Sequence, residues 1–151
     1  MYDASARTLV RVWKEQGRRR LAAEAAALVA EVVPRPDAVV ITWVPGDPER
    51  ALERGRIAPA ALVEALGAVW TIPAGELLRR TRSLRRQRGL GLAERRRNVR
   101  GSVVATGAVP RRVCVVDDVY TSGATVDACA SALRRAGARH VEVVTLARAV
   151  R

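Results

Sequence analysis

The chain has 151 residues, 49% apolar and 3% aromatic with no Phe, which suits a single domain over residues 1–151 with a core of Leu, Val and Ala. No run of 18 or more apolar residues exists, and Met1-Tyr2-Asp3-Ala4-Ser5 is not a basic head followed by an apolar stretch; neither a helical membrane span nor a secretory signal is expected, and a cytoplasmic location without a membrane partner is the expectation. Of the net charge of +12, ten arginines against Glu94 alone give the stretch from Arg79 to Arg100 a charge of +9, so an anionic partner is expected there, either a phosphorylated small molecule or a nucleic acid.

From Ser5 to Val33 apolar residues recur at three and four (Leu9, Val12, Trp13, then Leu21, Ala25, Leu28, Val29, Val32), predicting two helices broken near Gly17 and ended by Pro34 and Pro36. Residues 1–33 thus form a helical region, and 37–151 an α/β core. Ala38 to Val44 reads as a strand buried on both faces, and Pro45-Gly46-Asp47-Pro48 as a loop. Pro59 suits the first position of a helix to Ala68, with a short strand from Ala68 to Ile72 before Pro73. The arginine-rich segment 79–100 is predicted as a loop with a helical turn at Ala93–Asn98. Strands are predicted at Val103–Ala105, Arg112–Val116 and Val141–Leu146, and a helix from Ala124 to Ala136 stopped by Gly137. This alternation predicts a Rossmann-like parallel α/β sheet flanked by helices. Cys114 lies in an apolar run and Cys129 in a helical pattern. With no CxxC and one histidine, His140, both read as buried reduced thiols rather than zinc ligands. His140 sits outside any catalytic pattern, Trp43 and Trp70 are expected in the core, and Trp13 on the apolar face of its helix.

The chemistry concentrates in Val113-Cys114-Val115-Val116-Asp117-Asp118-Val119-Tyr120-Thr121-Ser122-Gly123-Ala124-Thr125. A buried strand leads at its carboxyl end into two carboxylates, and ligands of parallel sheets bind outside such ends. The Thr-Ser-Gly turn then opens a helix whose first amides, with the hydroxyls of Thr121, Ser122 and Thr125, can cradle one phosphate. Carboxylates facing that phosphate would repel it. They make sense as acceptors from the vicinal hydroxyls of a sugar carrying it, so a ribose 5-phosphate satisfies both halves. Taken separately, an Asp-Asp pair also serves Mg²⁺ or a phospho-acceptor, and a Thr-Ser-Gly turn can be only a helix cap.

These thirteen residues resemble, without a gap, the diphosphoribosyl-binding signature of type I phosphoribosyltransferases. More widely the chain is similar to the ComF family, the competence-protein and amidophosphoribosyltransferase-like branch of that fold. The resemblance runs through Tyr2 and Trp13-Lys14-x-x-Gly17, then Val44-Pro45, Arg50 and Arg54-Gly55. It continues through Arg80-x-Arg82 with Gln87, Leu90, Glu94-Arg95 and Asn98-Val99-x-Gly101, and ends at Thr145-Leu146-Ala147-Arg148. Arg56-Ile57-Ala58 and Leu84 depart from the family pattern.

The resemblance implies a type I phosphoribosyltransferase fold in which residues 1–33 form a small helical hood. It implies binding of phosphoribosyl diphosphate and transfer of its ribose 5-phosphate to an unidentified nitrogen acceptor, with release of diphosphate. Asp117, Asp118, Arg80 and Arg82 would be catalytic. Val119, Tyr120, Thr121, Ser122, Gly123, Ala124 and Thr125 would join the two aspartates around the ribose 5-phosphate. Val44, Pro45, Arg50, Arg54 and Gly55 would hold the diphosphate, and Arg80 and Arg82 would lie on a mobile loop closing over it. Mg²⁺ would accompany the ligand near Asp117 and Asp118. The alternative it implies is a competence factor for DNA uptake or processing that keeps the ligand site but acts through partners, such as single-stranded DNA or a competence helicase, with a homodimer as a further option. Against single-stranded DNA, no aromatic residue lies between Arg79 and Arg100 to stack bases. A regulator that senses the diphosphate ligand is a third reading.

Overall fold

The computed structural model describes residues 19–46, 58–81, 101–120 and 123–148. Their elements are α1 (Arg19–Val32), β1 (Val40–Trp43), α2 (Ala58–Trp70), β2 (Leu78–Arg80), β3 (Val103–Ala105), β4 (Arg112–Tyr120), α3 (Ala124–Arg135) and β5 (His140–Arg148). Strands β1, β4 and β5 form a parallel sheet in the order β1-β4-β5, while β2 and β3 pair antiparallel as a separate ribbon. Among the described residues no helix is long and apolar enough to cross a membrane.

The middle strand explains the layering. Val113 to Val116 are all buried, and successive side chains point to opposite faces. Cys114 and Val116 pack with Ala25, Ala26 and Val29 of α1 and Leu62 and Leu66 of α2. Val113 and Val115 pack with Val126, Cys129 and Leu133 of α3, together with Leu78 and Val103 of the ribbon. A strand covered on both sides can carry no polar residue in this stretch, which is why the run is continuous rather than alternating. Helix α3 ends as its sequence requires: Gly137, at φ 114, lets Ala138 N donate to Leu133 O at 3.0 Å and Gly137 N to Arg134 O at 3.2 Å, satisfying the last carbonyls.

Three expectations need correction. Ala68 to Ile72 is not a strand: α2 runs on to Trp70, Thr71 turns at φ 56, and Ile72 N donates to Gly67 O at 2.9 Å. A Cβ on Gly67 would meet Ile72 O at 2.7 Å, so only glycine permits this return. Trp70 and Ile72 are apolar because they plug the core, not because they pair. The arginine-rich loop begins later than Arg79, because Leu78–Arg80 is a strand whose single buried residue, Leu78, leaves no periodic signal. The main sheet is parallel as expected, and the β2–β3 ribbon beside it is antiparallel. Strand β4 does not stop at Val116 but continues to Tyr120, held there by β5. The helical reading of 5–33 holds over Arg19–Val32; residues 1–18, and the turn expected at 93–98, lie outside the described residues.

Both cysteines are free and buried. Burial, with a smaller push from Glu142, raises the Cys114 thiol from the ordinary 9.0 to about 12. Burial likewise raises Cys129 to about 12, Arg80 pulling it back down and Asp117 adding to the rise. The unfolded thiols ionise first, so stability should fall as pH climbs from 9 toward 12. A thiol reagent at pH near 8 should label neither cysteine of the native protein and both after denaturation; a native protein that reacts promptly contradicts this burial.

Candidate functional site

The site forms where neighbouring strands stop at different heights. β1 pairs with β4 from Val40↔Val113 to Trp43↔Val116, and a last bond runs from Val44 N to Val116 O at 3.1 Å. β4 then continues, paired with β5 at Asp117↔Thr145, Val119↔Ala147 and Tyr120↔Arg148. Asp117 and Asp118 therefore stand where β1 has turned away and the sheet narrows from three strands to two. Crevices of this kind, at the carboxyl ends of parallel strands, are where α/β sheets hold ligands. The aspartates lie within β4, not beyond its end as the sequence reading had it. The correction follows from pairing with β5, which keeps the backbone extended.

Alternation along β4 puts Asp117 on the α3 side, with Val113 and Val115, and Asp118 on the side of α1 and α2. Asp117 Oδ1 accepts from the Asp118 amide at 2.9 Å, and Asp118 is only 9% exposed. Five residues on, Gly123 opens α3 in the left-handed region at φ 73, ψ −11, and its carbonyl accepts from Asp127 N at 2.8 Å. Glycine has no side-chain oxygen to cap the helix, so the first-turn amides and the positive end of the helix dipole face outward for another acceptor. Gly123 and Ala124 are buried, and Thr125 is half-buried.

A second group of predicted residues converges from the other side. The segment after α2 tracks β1 upward: Ile41 N donates to Pro73 O at 2.9 Å, Gly75 N to Ile41 O at 3.0 Å, and Leu77 N to Thr42 Oγ1 at 3.3 Å. The last contact of this row is Arg80 Nε donating to Pro45 O at 2.8 Å. Leu78 of β2 and Val113 and Val115 of β4 pack in one cluster with Cys129, so the strands that carry Arg80 and Asp117 meet on the same part of α3. The structure thus brings together Val44, Pro45, Arg80 and Asp117, beside Asp118 and the start of α3. Val119 and Tyr120 continue the backbone of β4. Arg50, Arg54, Gly55, Arg82, Thr121 and Ser122 lie outside the described residues.

Sequence reasoning missed Thr42, fully buried, whose hydroxyl stitches β1 to Leu77. Its one signal was a hydroxyl inside an apolar strand. His140 is exposed at the opposite end of the sheet and contacts Glu142 at 3.1 Å, consistent with no part in the site. Among the described residues no group of three or more His, Cys, Asp or Glu could hold a metal ion.

No protein-family model matches the chain. Competence protein F of Haemophilus influenzae is 36% identical over 77 residues, a match that covers 48% of this chain and 34% of that protein, so the chain spans about a third of that relative. Among solved structures, the glutamine phosphoribosylpyrophosphate amidotransferase of B. subtilis superposes with a TM-score of 0.56 at 23% identity, over 83% of this chain and 26% of that one. The orotate phosphoribosyltransferase of Aeropyrum pernix gives a TM-score of 0.53 at 18% identity, over 89% and 75%. The phosphoribosylpyrophosphate synthetase of Mycobacterium smegmatis gives 0.50 at 15%, over 84% and 33%. With a parallel β1-β4-β5 sheet between helices, the chain has the type I phosphoribosyltransferase fold, and over about half its length its sequence is similar to competence protein F.

Proposed function

We propose that the chain binds phosphoribosyl diphosphate and transfers its ribose 5-phosphate to a nitrogen acceptor, releasing diphosphate. The observation that carries this reading is the carboxylate pair at the point where β1 ends, followed at once by the left-handed Gly123 and the α3 N-terminus. In this reading the ribose lies between the two features. Asp117 and Asp118 accept from its 2- and 3-hydroxyls, and the turn 121–125 receives the 5-phosphate. As diphosphate leaves C1, positive charge develops on the ring, and the adjacent carboxylates offset it without forming a covalent bond. Val44 and Pro45 border the diphosphate end; Arg50, Arg54, Gly55 and Arg82 are assigned to it by the ComF resemblance. Two neighbouring carboxylates do not make a resident metal cage. Mg²⁺ would therefore arrive on the diphosphate oxygens, with Asp117 and Asp118 as the carboxylates available to its water shell.

A second reading is favoured by the likeness to a protein named for competence: the ligand site is kept and the activity is exerted through a partner such as single-stranded DNA. The fold is shared with a synthetase as well as with transferases, so the reaction rests on the site and not on the architecture. Diphosphate release, followed over a panel of amines and nucleobases, decides. The transferase reading expects release that needs both phosphoribosyl diphosphate and one acceptor class. Tight binding with no release under any acceptor would favour the second reading, and no binding at all would end both.

A further inference from the structure

We propose that Arg80 is a positioning residue: it holds the Val44–Pro45 exit of β1 against the projecting end of β4, beside Asp117, and shapes the diphosphate end of the site through the backbone instead of gripping phosphate itself. The inference rests on the phosphoribosyl diphosphate reading above. Its basis is the row of contacts by which residues 73–80 follow β1, through Ile41, then Thr42, then Pro45. Arg80 terminates that row from a strand, not from a loop. The strand is paired through Arg80↔Val103 and extended by Thr81 N donating to Ser102 O at 2.9 Å and Thr81 Oγ1 to Gly101 O at 3.2 Å. The ribbon is in turn packed on α3 through Leu78 and Val103. Arg80 is thus half-buried on a base fixed to the same helix whose N-terminus faces the site.

The chemistry of the guanidinium points the same way. A side-on grip on a phosphate uses Nε together with one terminal nitrogen, and here Nε is committed to Pro45 O at 2.8 Å. Pro45 has no amide hydrogen, so the turn after β1 has one backbone donor fewer to fix it, and the Arg80 bond to the Pro45 carbonyl supplies a separate anchor there. Val44, one residue earlier, packs in the α3 cluster and donates to Val116, so the position of Pro45 is transmitted directly to the strand that carries Asp117. Lysine cannot substitute in this role, because its only donor sits at the tip of the chain, beyond the place that Nε occupies.

The test compares Arg80→Lys and Arg80→Met with the unmodified full chain, by amide hydrogen exchange and by calorimetry with phosphoribosyl diphosphate and, separately, ribose 5-phosphate. In both variants the Val44 amide should exchange about tenfold faster, the size expected for one charge-assisted hydrogen bond, while the Val115 amide in the core is unchanged. The dissociation constant for phosphoribosyl diphosphate should rise by about tenfold, and that for ribose 5-phosphate should stay within about twofold. Val44 protection that survives while diphosphate affinity is lost would overturn the inference in favour of a direct grip, as would an Arg80→Lys variant that keeps full affinity. Equal loss of both ligands would reduce Arg80 to a structural residue. Should Arg80→Met fail to fold, Arg80→Lys carries the same comparison. An unmodified chain that binds neither sugar phosphate would sink the functional reading instead, and Val44 exchange would still judge the clamp by itself.

Discussion

Changing Asp117 and Asp118 together to Asn should weaken phosphoribosyl diphosphate binding by about 3 kcal/mol, roughly a hundredfold in Kd, since each charge-assisted hydrogen bond is worth about 1.5–3 kcal/mol and an amide keeps one weaker acceptor. Ribose 5-phosphate should lose as much, because the contacts are to the sugar and not to the leaving group. The geometry adds a distinction between the two positions. Asp117 is half-buried on the α3 side, whereas Asp118 is 9% exposed and lies inside a paired strand. Asp117→Asn alone should therefore leave the melting temperature nearly unchanged. Any loss of stability in the double variant should come from Asp118. Calorimetry on each single variant, alongside its thermal melt, separates the two effects. Unchanged affinity in a folded double variant would remove the ribose-hydroxyl assignment.

Leu133→Ala should be the most damaging simple truncation on the α3 side. Leu133 is fully buried against Val113 and Val115 of β4 and against the ribbon residues Leu78 and Val103. Its carbonyl also receives the Ala138 amide that closes the helix end. Truncation leaves a cavity bounded by the sheet, the ribbon and the helix, none of which can collapse alone. The expected cost is about 2–5 kcal/mol, out of a total near 5–15 kcal/mol for a domain of this kind. At about 2–4 °C per kcal/mol, the melting temperature should drop by roughly 10 °C. In urea the midpoint should fall with the slope unchanged. Leu28→Ala, at a side chain 56% exposed on α1, should cost no more than about 0.5 kcal/mol and serves as the control. Equal losses at the two positions would mean that α3 is not the helix that clamps the ribbon to the sheet.

The same contrast shows what was legible beforehand. The unbroken run Val113–Val116 announced a strand covered on both faces, and the spacing of Leu21, Ala25 and Val29 announced α1, because burial on a given face imposes a period on neighbouring residues; Leu28 and Val32, read into the same pattern, are exposed. Gly123 and Gly137 marked the two ends of α3 because each needs a positive φ, a requirement set by the backbone alone. Short apolar stretches carried no such mark. Ala68 to Ile72 read as a strand although the helix continues through Trp70, and Leu78–Arg80 went unrecognised because it buries one residue of three and its other two are arginines.

What the sequence determined by itself was therefore local: which segments turn, which lie buried on one face or two, and which residue types, the Asp117-Asp118 pair above all, carry chemistry. Tertiary structure alone decided the relations between distant segments. That β1 stops opposite Val116 while β5 carries β4 on to Tyr120 depends on pairings across some seventy residues on one side and some thirty on the other. That Arg80 reaches Pro45, not solvent, depends on a ribbon whose second strand lies more than twenty residues later. Neither register leaves a trace in adjacent residues, because strand pairing is specified by the packing of whole faces against α1, α2 and α3 and not by any short stretch of chain.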